Sequence, residues 1–512
     1  MSAMKLERQK IGLWWVVVGL CMASVMSHGS AGESATASLE APSVEDPDRV
    51  DESIDEEEVS ALYPKLAEAI DEFLAGSSMR GVSAGIHVED LMSGEVIYSH
   101  EADRLMDPAS NMKLVTAAAV LDELGPQHTL ETLLSTDARA NGRVENLYVR
   151  GEGEAFILFK DILDWARQLR VQGVEAIDGD VVIDDGVFDG GYLPPGFDLR
   201  ETGDAWRSPI GAVSVNFNAV TAIVKPGERP GMEPRVRLDP PNDYVQVVNR
   251  ARTTTGSLQR IHVDSEAGEE GTVITIGGTI GAGASEVRQR RRINDPPAFA
   301  GAVVAEAMRM MGIEFEGQIR RGVAPSDGER LFRHESSPMI DTVSAMNKWS
   351  NNFMAEQLLR LLGTLDVDDP STWEASQARL RYAVDSQGLL SGQYELGNGS
   401  GLWGGNLLSA RQLVTLLSRM QRHRFGPEFV SSLPIAGVDG TLRHRLREES
   451  TQGNVRAKTG TLRNVTALSG YLTTASGRRV AFSVLFNDTP RRAWFYRDEQ
   501  DRIVEMIAEF DG

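Results

Sequence analysis

The chain has 512 residues, 41% of them hydrophobic and 25% charged, the make-up of an ordinary multi-domain globular protein rather than a disordered, collagen-like or multi-span membrane one. Lys and Arg number 52 against 74 Asp and Glu, a formal net charge of −22, which argues against a nucleic-acid partner. The single cysteine, Cys21, excludes an intrachain disulfide framework and a cysteine-based zinc site.

Lys5, Arg8 and Lys10 open the chain, an apolar run follows from Ile11 to Val25, and small residues follow from Ser27 to Gly32. This order predicts a secretory signal peptide over 1–32 and an exported, periplasmic protein with no firm membrane anchor. An uncleaved anchor is the rival reading, but the run falls short of the ~20 apolar residues a spanning helix needs. Leu20 stands before Cys21 where lipidation requires a small residue. Residues 33–58, ending in the acidic DRVDESIDEEE, lack the apolar surface to offset ordering entropy and predict a solvated linker.

Leu62, Leu66, Ala69, Ile70, Phe73 and Leu74 recur at helical spacing within Val59 to Leu74. Gly81 to Ser99 alternates and turns at Met92-Ser93-Gly94, predicting a hairpin. Ser110 to Leu124 predicts a helix with an Ala-rich, Leu/Val-lined face. Residues 140–330 change character: short strand-like runs at Leu147–Arg150, Gly179–Ile183, Val220–Lys225 and Val273–Ile276, with little helical signal before Pro297–Met311. This predicts a mostly β insertion between two halves, 59–139 and 331–512, of an α/β domain. Near the C-terminus, Asn454–Ala457, Thr466–Thr473 and Arg479–Asn487 predict strands, and Arg491–Phe510 a helix whose Trp494, Phe495, Ile503, Val504, Met506 and Ile507 are available for a buried stripe.

Three short motifs carry chemistry. In Ser110-Asn-Met-Lys113, preceded by Pro108-Ala109, the serine sits near a helix N-terminus and the lysine falls on the same face. A lysine whose pKa is lowered by burial or nearby cations can take the serine proton. Ser350-Asn351-Asn352 opens a second helix and can aim a hydroxyl and an amide into one cleft. Lys458-Thr459-Gly460-Thr461, in RAKTGTL, places a lysine and hydroxyls on a strand, with a glycine that permits close backbone approach. Singly, each pattern is equally a helix cap or an edge-strand turn. Together, the order S-x-x-K, S-x-N, K-T-G is that of penicillin-binding proteins and class A β-lactamases.

The chain resembles the penicillin-binding-protein-4-type D-alanyl-D-alanine carboxypeptidases, the S13 peptidases. The matching stretches are PASNMKLVTAAAVLDELG, VSVNFNAV, SNNFMAEQLLR, NGSGLWGGNLLS, LPIAGVDGTLRHRL and VRAKTGTLRNVTALSGYL. The resemblance implies an α/β (α+β) serine acyl-transferase domain of the penicillin-binding/β-lactamase type, split by an insertion forming two smaller domains. It implies carboxypeptidase action, and D,D-endopeptidase action in some members, on peptidoglycan stem peptides, with β-lactams as inhibitors and no metal or organic cofactor. It further implies that Ser110 attacks, Lys113 is the general base, and Ser350 and Lys458 pass the proton to the leaving amine. Asn352 would orient the acyl-side amide, Thr459 and Thr461 would hold the terminal carboxylate, and the N–H groups of Ser110 and Thr461 would form the oxyanion hole. His444 reads as structural.

The chain departs from the family pattern at three places. Asn398-Gly-Ser-Gly-Leu-Trp403-Gly404 stands where Asp-Gly-Ser-Gly-Leu-Ser-Arg is usual. Gly151-Glu-Gly-Glu154-Ala155 replaces Gly-Gly-Gly-Asp-Pro, and Asn351 replaces an Asp. These changes bear on stem-peptide specificity. A non-catalytic peptidoglycan-binding relative and a β-lactamase or esterase are the alternative readings.

Overall fold

The computed structural model describes residues 63–189, 191–199, 202–365, 370–403 and 405–512, all within one unit, 54–512. The expected signal peptide, the acidic linker, residues 59–62 of the first predicted helix, and Gly404 lie outside the described residues.

Five antiparallel strands build the central sheet in the order Arg456–Leu462, Val465–Thr473, Arg479–Asn487, Ser83–Asp90, Val96–His100. The two ends of the chain therefore meet in one sheet, with Ser83 opposite Asn487 and Asp90 opposite Val480. Val465–Thr473 and Arg479–Asn487 are buried on both faces, which is why they read as near-continuous apolar runs. Leu468, Leu472, Phe482 and Phe486 join the core under the helices Pro64–Ala75 and Ala493–Ala508, while Ala467, Tyr471, Ala481 and Leu485 join the core around Met112–Leu124 and Ala410–Arg422. The alternation assigns successive side chains to opposite faces.

Met112–Leu124 is buried at every residue from Met112 to Leu121. It is a central core helix, not one with a single apolar face. It follows a tight turn, Ala109–Asn111, that carries Ser110. Helix Met339–Trp349 stops at Ser350, which is left-handed with φ 54°, and the chain re-enters helix at Asn352–Leu362.

The strands Glu131–Thr136, Leu147–Gly151, Val181–Asp184, Ile319–Arg321 and Glu329–Glu335 form a second five-stranded sheet, two of whose strands, Glu131–Thr136 and Glu329–Glu335, fall wholly or mostly within the expected halves. Further sheets centre on Ala219–Lys225 and Thr272–Gly281. The sparse helical signal expected before Pro297 is corrected at Phe159–Val171, a helix whose Ile162, Trp165, Ala166 and Leu169 are buried. Those four residues lie at helical spacing, among charged neighbours that obscure the pattern. The last helix, Ala493–Ala508, buries Ile503, Val504 and Ile507 but leaves Trp494 60% exposed, so Trp494 is not part of the core stripe. Among the described residues no helix is long and apolar enough to cross a membrane.

Candidate active site

The turn carrying Ser110 is held from outside. Ala109 adopts φ 45°, and its N–H donates to the Asp107 carboxylate at 2.8 Å. The Asn487 side chain in turn accepts from the Asp107 N–H at 2.9 Å and donates to its carbonyl at 3.1 Å. A positive φ at a non-glycine residue is strained unless its surroundings hold it. Two glycines make the room. A Cβ on Gly401 would fall 1.8 Å from the Ala109 carbonyl oxygen, and one on Gly460 would fall 2.9 Å from the Pro108 carbonyl oxygen and 3.1 Å from the Ala109 Cβ. The open face of Gly460, where a side chain would stand, is thus packed against the turn that carries Ser110.

Lys113 is wholly buried. Its Nζ lies 3.1 Å from Ser110 Oγ, 2.8 Å from Asn352 Oδ1 and 2.7 Å from the Ser400 carbonyl oxygen. Burial brings its pKa down to about 7, with the Glu356 carboxylate opposing that fall. A neutral amine has two N–H bonds and one lone pair. The two acceptors, Asn352 and Ser400, can take both N–H bonds, which leaves the lone pair for the Ser110 hydroxyl proton.

Glu356 is also fully buried. It accepts from the Gly399 N–H at 3.1 Å and the Ser400 N–H at 2.8 Å. Burial raises its pKa, while these bonds and Lys113 pull the other way.

Lys458, wholly buried as well, donates to Ser350 Oγ at 2.9 Å and to the Thr459 carbonyl at 2.7 Å. Burial first, and then the charge of Lys113, hold its pKa well below the usual amine range. That shift weakens Lys458 as a source of positive potential. The Asn111 amide bridges the two elements: with Nδ2 donating to the Lys458 carbonyl at 2.9 Å, its oxygen accepts from the Ser469 N–H at 3.3 Å.

The middle motif divides its labour. Asn351 is the helix cap, accepting from the Met354 N–H at 3.1 Å, while Ser350 and Asn352 on either side face the cleft. Thr459 and Thr461, two apart on the strand, face the same cleft. Thr459 Oγ donates to Thr441 Oγ at 2.8 Å. Thr461 Oγ donates to the Gly460 carbonyl at 2.7 Å and accepts from Arg497 Nε and Nη2 at 3.3 and 3.1 Å.

The cleft has a volume of about 510 Å³. Its lining includes Trp206, Leu402 and Trp403, the two indoles 5.2 Å apart edge to face. It also includes Arg445, Arg463 and Arg497. Trp403 is already marked in the sequence as a departure from the family pattern, whereas Trp206, Arg445, Arg463, Arg497 and Glu356 carry no separate signal there. Asn398 is a buried loop brace: its Nδ2 donates to the Leu402 carbonyl at 2.9 Å, and its Oδ1 accepts from the Gly401 N–H at 2.9 Å. Glu154 is buried beside His334, at 3.1 Å, rather than in the cleft lining. His444 is exposed and accepts from Arg443 Nε at 3.2 Å, outside the cleft. Among the described residues no group of His, Cys, Asp or Glu is placed to hold a metal ion.

A serine hydroxyl against a buried, neutral-leaning lysine, with a second serine–lysine pair in the same cleft, is the equipment of a serine hydrolase that works through an acyl-enzyme. The chain matches the family model described as D-Ala-D-Ala carboxypeptidase 3 (S13) family over residues 66–510. It belongs to that family. A D-alanyl-D-alanine carboxypeptidase of Actinomadura sp. (strain R39) is 32% identical over 468 residues, covering 88% of this chain and 86% of that one. The D-alanyl-D-alanine carboxypeptidase DacB of Haemophilus influenzae is 26% identical over 433 residues, covering 84% and 90% of the two chains. The crystal structure of penicillin binding protein 4 (dacB) from the same organism superposes with a TM-score of 0.75 at 24% identity, covering 86% of this chain and 99% of that one. The fold is the mixed α/β one of penicillin binding protein 4.

Proposed function

We propose that this protein is a serine-type D-alanyl-D-alanine carboxypeptidase that removes the terminal D-alanine from peptidoglycan stem peptides. The observation that carries this reading is Lys113 Nζ, 3.1 Å from Ser110 Oγ and fully buried, with its other two partners already engaged.

In this reading Lys113 takes the Ser110 proton as Oγ bonds to the carbonyl carbon of the penultimate D-alanine. The N–H groups of Ser110 and Thr461 stabilise the oxyanion. The C–N bond then breaks, and the leaving amine receives a proton through Ser350 and Lys458. Asn352 orients the acyl-side amide, and Thr459 and Thr461 hold the terminal carboxylate. Water cleaves the resulting ester and frees Ser110. β-Lactams, whose ring amide presents the same carbonyl, acylate the same oxygen. D,D-endopeptidase cleavage uses the same steps with a longer leaving group.

The apolar run Ile11–Val25 and the extracytoplasmic substrate support export to the periplasm. The pairing of Glu131–Thr136 with Glu329–Glu335 supports an insertion that leaves and re-enters the catalytic domain within one sheet. The test is incubation with a pentapeptide ending in D-Ala-D-Ala: D-alanine release by the wild type, abolished in Ser110→Ala, supports the reading, and release unchanged by that substitution overturns it.

A further inference from the structure

A peptidase that removes one C-terminal residue must recognise a free carboxylate, and the cleft contains three cations to do so. They are not equivalent. Arg445 is already neutralised: its Nη2 donates to Asp501 at 2.7 Å and to the Arg497 carbonyl at 3.0 Å. Arg463 is exposed at the strand end. Arg497 is half-buried and lines the cleft, and among the described residues no carboxylate lies within ion-pair distance of it. Its Nε and Nη2 both donate to Thr461 Oγ, which leaves N–H bonds of the five-donor fork unspent.

We propose that Arg497 is the charged anchor for the substrate's terminal carboxylate, acting together with Thr461. Two N–H donors on the Thr461 oxygen polarise that hydroxyl and make it a stronger donor. On binding, its proton turns from the Gly460 carbonyl to one carboxylate oxygen while the guanidinium takes the other. Arg445 braces the anchor from behind through the Arg497 carbonyl. A half-buried guanidinium beside a second cation is unfavourable until an anion arrives: burial and Arg445 both disfavour its charge. Lys458, whose ammonium form is itself disfavoured by burial, is the weaker source of positive potential.

The inference rests on the carboxypeptidase reading but is tested without turnover. In the Ser110→Ala background, calorimetry compares a peptide ending in D-Ala-D-Ala with the same peptide carrying a C-terminal amide. The acid is expected to bind more tightly, and Arg497→Gln is expected to cut that preference by roughly 10- to 100-fold, the range for a hydrogen bond to a charged group. Arg497→Lys, which keeps the charge, is expected to restore part of it and guards against misfolding of the first variant. An acid-to-amide ratio unchanged in a folded Arg497→Gln variant, or no higher in Arg497→Lys than in Arg497→Gln, overturns the anchor. A wild type that binds with this preference yet releases no D-alanine leaves the anchor standing and overturns the carboxypeptidase reading instead.

Discussion

Glu356 and Lys113 are joined through one residue: Ser400 donates its N–H to the Glu356 carboxylate at 2.8 Å and accepts from Lys113 Nζ through its carbonyl at 2.7 Å. Glu356 thus places the carbonyl that aims the lysine, and its charge opposes the fall in the lysine's pKa. It is a positioning residue that touches no substrate. Glu356→Gln removes the charge, so the Lys113 pKa falls below about 7. The acid limb of the acylation rate, where Lys113 becomes protonated and loses its lone pair, is expected to move to lower pH. One of the two loop N–H groups also loses its carboxylate acceptor, at a stability cost of about 1–3 kcal/mol. A pH–rate profile checks this; a limb that stays in place contradicts it.

Ser350 is held at φ 54°, a region glycine occupies without a Cβ penalty. Ser350→Gly is therefore expected to melt no lower than the wild type while losing the hydroxyl that Lys458 engages at 2.9 Å. Thermal melting and the rate of D-alanine release separate the two effects. A fully active Ser350→Gly would remove this hydroxyl from the proton path.

Gly460→Ala would put a methyl 2.9 Å from the Pro108 carbonyl oxygen, against the turn that carries Ser110. Displacing that turn by even ~1 Å can cost about 10²-fold in rate. The expected signature is a fall in kcat larger than any rise in KM, measured by steady-state kinetics. The reverse pattern would indicate that Gly460 serves substrate entry instead.

Trp206 is 43% exposed and faces Trp403 across 5.2 Å in the cleft wall. A bound peptide segment that reaches this pair meets aromatic surface, so Trp206→Ala is expected to raise KM several-fold, the effect of about 1 kcal/mol of lost apolar contact at a partly exposed side chain. kcat should change little. An unchanged KM would show that bound peptides do not reach this wall.

The sequence exposed the parts of this site whose logic is local. Ser110 and Lys113 share a face because three residues nearly complete a helical turn, and Thr459 and Thr461 share one because strand side chains alternate. The central sheet was readable for the same reason, through the alternating hairpin at one end and the three apolar strands at the other. Glu356, Arg497 and Trp206 were not readable. Each comes from a separate element, and a buried Glu within a helix or an Arg near the C-terminus looks like any surface charge until tertiary packing places it. The helix Phe159–Val171 was missed because its buried positions are diluted by Lys160, Asp161, Asp164 and Arg167. Gly460 showed that a backbone approaches closely, but not whose: the partner is the protein's own turn.

The most direct test of Ser110 as an acylated nucleophile is the mass of the intact protein after incubation with benzylpenicillin, followed by peptide mapping. The expected result is one penicilloyl group per chain on Ser110, formed faster as pH rises through about 7 and absent in Ser110→Ala. An adduct on another residue, or an unmodified protein that leaves the antibiotic intact, would contradict it.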